Sequence, residues 1–122
     1  MRLPSSIGFA LSLGCAWILW FENNQTIGGT TFQPEWEVAG STDTFEKCTD
    51  QQEHALAAHL QSLISDKSPE FKPFLGKNSY SRTSKDGSEV VMRIGPTLVW
   101  EYKGASKLLK YTCWPENRDP RR

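Results

Sequence analysis

His54 and His59 are the only histidines in the 122-residue chain, and the acids near them make this the first place to look for acid–base or metal chemistry. Five residues apart on a helix, they stand about 140° apart around its axis and cannot share one metal as an i, i+4 pair would. Asp50 and His54 do have the i, i+4 spacing. Such a pair could serve a base or a metal, but it is more often a surface ion pair. His59 falls near an apolar stripe, the usual position of a half-buried histidine held by a backbone partner. Glu35 and Glu37 flank Trp36, so in a strand both carboxylates point to one face and Trp36 to the other. Two carboxylates at a fixed separation hydrolyse glycosides, yet this spacing equally describes a solvated sheet face. There is no G-x-S-x-G elbow, and Gly28-Gly29-Thr30-Thr31 lacks the Lys and the spacing of a phosphate loop. No nucleophile, base and orienting residue form a set, and neither a metal site nor a cofactor is expected.

The elements that would position these residues follow from apolar periodicity. Residues 15–22 (CAWILWFE) are apolar on both alternating faces and read as a covered central strand, with a second short strand at 36–40 behind Pro34. Asp43 and Glu46 have capping-box spacing. Behind them Phe45, Cys48, Gln52, Leu56, Leu60 and Leu63 recur at three- and four-residue steps, which predicts a helix ending near Ser65. Residues 66–88 are polar with two prolines and read as a long loop. Three strand-like runs follow, at 89–94, 97–102 and 107–114, separated by Gly95-Pro96 and Gly104-Ala105. The expected fold is α+β: two layers, a mainly antiparallel sheet of four to five strands with one helix on it, in the order ββαβββ.

Fourteen basic and fourteen acidic residues balance, so no global field draws the chain onto nucleic acid. The charge is unevenly placed. From Cys15 to Asp66 eight acids meet one base, Lys47, whereas from Lys67 to Arg122 twelve bases meet six acids. Within the 66–88 segment Lys72, Lys77, Arg82 and Lys85 are set among Phe74 and Tyr80. Cations that steer and rings that bury area make this a candidate surface for a protein partner or other envelope component. Arg118, Arg121 and Arg122 give the tail a basic end suited to anionic head groups or an acidic partner.

Residues 7–21 carry no charge and follow a single base, Arg2. The run is too short for an ordinary spanning helix, which needs about 20 apolar residues. Ser12 and Gly14 place small residues at minus three and minus one from a cut before Cys15. This predicts a signal peptide over 1–14, a single domain over 15–122, and Cys15 as a lipid acceptor. The Ser12-Leu13-Gly14 order departs from the usual lipoprotein pattern of Leu, a small residue, then Gly or Ala. An uncleaved anchor and a buried first strand of an unexported domain are the alternatives.

Cys15-Ala-Trp-Ile-Leu-Trp20 and the tail Tyr111-Thr-Cys-Trp-Pro-Glu-Asn-Arg-Asp-Pro-Arg121 resemble a group of small exported bacterial proteins with a C-A-W-x-L-W start, a Cys at a helix start and a Y-x-C-x-P-x-x-x-D-P-R end. The chain departs from it at Trp114, where Leu is commoner, and at Arg118, where an apolar residue is expected. The resemblance implies export, to the periplasm or a membrane-anchored place in the cell envelope, and brings no activity with it. With Cys15 committed to lipid, Cys48 and Cys113 remain as a disulfide pair; the rival pairing uses Cys15. The expected role is a non-catalytic binding or interaction module, the alternative a small enzyme or enzyme inhibitor with its site in 66–88.

Overall fold

The computed structural model describes residues 16–65, 71–73, 78–84 and 87–121. The chain forms β1 (Trp17–Ile27), β2 (Thr30–Thr31), β3 (Glu35–Thr42), α1 (Phe45–Ser65), β4 (Lys72–Pro73), β5 (Ser79–Ser84), β6 (Gly87–Ile94), β7 (Thr97–Tyr102) and β8 (Ala105–Pro115). All eight strands belong to one antiparallel sheet, ordered β2-β1-β8-β7-β6-β5-β4, with β3 also paired to β1. The α+β class holds, but the expected two-layer plan of four to five strands ordered ββαβββ does not; the order is βββαβββββ. Two misreadings account for the difference. The 66–88 segment taken as loop contributes β4, β5 and the start of β6, and the polar stretch after Phe21 continues β1 and returns as β2.

β1 and β8 pair along all eleven residues, from Trp17 opposite Pro115 to Ile27 opposite Ala105. The first and last strands of the fold therefore lie side by side, and α1 carries the chain from β3 across to β4 at the far edge. Two-residue turns join β1 to β2, β6 to β7 and β7 to β8. Gly28 and Gly29 have φ of 57° and 83°, the left-handed pair a two-residue hairpin needs to match strand twist.

On the sheet side that faces α1, Leu56 and Leu60 of the helix pack with Val91, Leu98 and Leu109 into one core cluster. Fully burying side chains of this size stabilises by roughly 1.5–3 kcal/mol each. Polar ties fix the helix on the sheet: Gln52 Nε2 donates to the Tyr111 carbonyl at 2.7 Å, and Arg93 pairs with Glu53. Thr44, not Asp43, caps the helix, its Oγ1 accepting from the Lys47 amide at 3.1 Å; Asp43 instead pairs with the Lys47 ammonium. Cys48, fully buried in the first turns of α1, is bonded to Cys113 of β8 with the α-carbons 6.2 Å apart. That separation lies in the ordinary disulfide range. Cys15 lies outside the described residues.

The opposite sheet side is only partly covered. Arg121 stacks 4.9 Å from the ring centre of the nearly buried Trp20, while Val38, Ile94 and Leu108 stay exposed. Among the described residues no helix is long and apolar enough to cross a membrane.

Candidate functional site

Antiparallel register decides which side chains meet, because directly opposed residues share a face. Arg82 is opposite Glu89, Glu89 opposite Tyr102, Val91 opposite Trp100, Trp100 opposite Lys107, and Leu109 opposite Asn23. Val91 and Leu109 belong to the helix-facing core, so Arg82, Glu89, Trp100, Lys107 and Asn23 stand on that same side. Where α1 presents His59 and Leu63, these strands and the helix enclose a recess of about 400 Å³.

The recess is built around one carboxylate. Glu89 Oε1 accepts from Arg82 Nε at 2.9 Å and from a terminal guanidinium nitrogen at 2.7 Å, and Glu89 Oε2 accepts from Trp100 Nε1 at 2.6 Å. The two charged side chains are only 12% and 14% exposed. Charge-assisted bonds in such surroundings fix both the guanidinium and the indole plane. The outer side of Arg82 lies 4.5 Å from the centre of the Phe71 ring. Lys107 Nζ stands 5.7 Å from the Trp100 ring centre and makes no ion pair among the described residues. Asn23 Oδ1 is buried at the recess and accepts no hydrogen bond.

His59 closes the helix side. Its Nδ1 shares a 2.9 Å hydrogen bond with the Tyr111 hydroxyl, and its ring lies 5.7 Å from Phe21. Burial, then the charge of Lys107, holds the imidazole below its ordinary value, so it is neutral at pH 7. Burial, then Glu37, pushes the Tyr111 phenol up.

The residues singled out by chemistry in the sequence are scattered. His54 is exposed on α1 and does not line the recess; His59 does, with a phenol rather than a backbone group as its partner. Glu35 and Glu37 share one face of β3, opposite Asn23 and Phe21, and are exposed. Trp36 lies on the other face, edge-on to Trp20. Lys72 is exposed on β4, Tyr80 packs against the core cluster, and Arg82 is clamped by Glu89. Phe74, Lys77 and Lys85 lie outside the described residues. No three His, Cys, Asp or Glu residues cluster as metal ligands among those described. Asn23, Glu89, Trp100 and Lys107 were not legible as site residues. The available signal was hairpin register: counting back from the Lys103-Gly104 turn sets Trp100 opposite Lys107.

Compared with family models, curated protein sequences and solved structures, the chain matches none.

Proposed function

We propose that this chain is an exported, non-catalytic binding module of the cell envelope, tethered through a lipid on Cys15, with the recess beside α1 as its ligand site. The observation that carries the binding reading is the state of Glu89. Three N–H donors hold this carboxylate through both of its oxygens, so its place is to position Trp100 and Arg82. The Lys107 ammonium, over the Trp100 ring, is left to meet a ligand.

Export is supported by the Cys48–Cys113 bond, of a kind that persists in oxidising compartments. Ser12 and Gly14 before Cys15, and the resemblance to small exported bacterial proteins, support the same reading. β1 starts two residues after Cys15, so an acyl chain there seats the domain directly against the bilayer. Fractionation of cells carrying the wild type and Cys15→Ser tests the tether. The wild type is expected with membranes and the variant in the soluble envelope fraction. Retention of the variant in membranes would overturn the lipid reading, and turnover of a bound compound that is lost in His59→Gln would replace binding by catalysis.

A further inference from the structure

We propose that the recess beside α1 binds a saccharide bearing a carboxylate, with the sugar ring on Trp100, its carboxylate on Lys107 and a hydroxyl on Asn23. This rests on the binding reading above and names the ligand class for that site.

Trp100 supplies the platform. Its indole N–H is tied to Glu89, so the ring plane is fixed before any ligand arrives and little side-chain freedom is lost on binding. A sugar ring offers an aromatic face its polarised C–H bonds while its hydroxyls project sideways; a purely apolar ligand would leave the polar rim unmatched. The rim has the matching groups. Asn23 puts its side-chain amide in the lining, with Oδ1 itself closed off from solvent. Formal charge in the recess is plus one, since Arg82 and Glu89 cancel and Lys107 has no ion pair among the described residues. A ligand with one negative charge therefore complements it. Leu63 and Leu109 complete an apolar wall. The volume of about 400 Å³ lies in the range of small-ligand pockets, and suits one or two sugar rings rather than a polymer groove.

Titration calorimetry on the purified full chain, with D-glucuronate, D-glucose and N-acetyl-L-alanine as probes, tests the assignment. Glucuronate is expected to bind about tenfold or more tighter than glucose, with its advantage shrinking as salt rises. Lys107→Gln is expected to bring glucuronate down to the affinity of glucose, with its melting temperature unchanged. Trp100→Leu is expected to abolish both. Equal binding of glucose and glucuronate, or unchanged glucuronate binding in Lys107→Gln, would overturn the carboxylate contact. N-acetyl-L-alanine binding as tightly as glucuronate would overturn the saccharide. Absence of glucuronate binding in a chain found lipidated in the envelope sinks this assignment alone, whereas glucuronate binding by a chain found unprocessed in the cytosol sinks only the export reading.

Discussion

The indole of Trp100 on β7 donates to the carboxylate of Glu89 on β6 at 2.6 Å, a diagonal contact between neighbouring strands that locks the floor of the recess. Glu89 is therefore the piece whose loss disturbs most. Glu89→Ala removes the carboxylate that holds the Arg82 guanidinium, which is only 12% exposed. The expected cost is about 3 kcal/mol, the penalty for removing one partner of a mostly buried pair. Glu89→Gln, which keeps an acceptor for Trp100, should cost less. Urea unfolding of the two variants gives the comparison, and equal stability of Glu89→Ala and wild type would mean the clamp contributes nothing.

Removing the disulfide should cost more. Cys48 and Cys113 are 65 residues apart in sequence, and in the chain-entropy view closing that loop stabilises by roughly 4 kcal/mol. The double variant Cys48→Ala/Cys113→Ala, unfolded in denaturant beside the oxidised wild type, is expected to show a midpoint lowered in proportion. A midpoint that does not move would show that the two halves of the sheet hold α1 without the bond.

Leu56 is completely buried in the middle of α1 and touches the β6, β7 and β8 side of the core. Leu56→Ala is expected to lose about 2–5 kcal/mol, from lost transfer energy and a cavity the sheet cannot close. Val38→Ala, on an exposed position of β3, serves as the control, with a change within about 0.5 kcal/mol.

Mild acid should weaken the fold through His59. Its folded value is held below the ordinary 6.5, so the unfolded chain takes up this proton first as pH falls. The stability it contributes is complete above about pH 6.5 and is lost as pH drops through that value to the lower folded one. The carboxylates of Glu53 and Asp43, held down by Arg93 and Lys47, contribute in the same direction but only at more acid pH. Melting temperature is expected to fall between pH 7 and pH 5, with a flatter profile in His59→Gln. An unchanged slope in that variant would assign the loss to other groups.

The helix was legible because its stripe is dense: Cys48, Leu56 and Leu60 are all buried where three- and four-residue spacing places them. TLVWEY was legible as β7 to the residue, its apolar run bounded by Gly95-Pro96 and Gly104. β5 was not. SYSRTS sets Tyr80 and Arg82 among four Ser and Thr residues, so it has neither an apolar run nor an amphipathic alternation. Its place in the sheet comes from pairing with β6. The same reason hid the recess. Arg82, Glu89, Trp100, Lys107 and Asn23 come from five strands, and only the pairing of β1 with β8, at opposite ends of the fold, brings Asn23 beside Leu109. Patterns within one segment do not encode that contact, whereas the Cys48–Cys113 pairing followed from three cysteines once Cys15 was committed to lipid.

The intact mass of the protein isolated from its own host's envelope bears most directly on the proposal of an exported, lipid-tethered module. The expected mass lacks residues 1–14, carries acyl groups on Cys15, and lacks the two thiol hydrogens of Cys48 and Cys113. A mass corresponding to the whole chain from Met1, with all three thiols free, would contradict it.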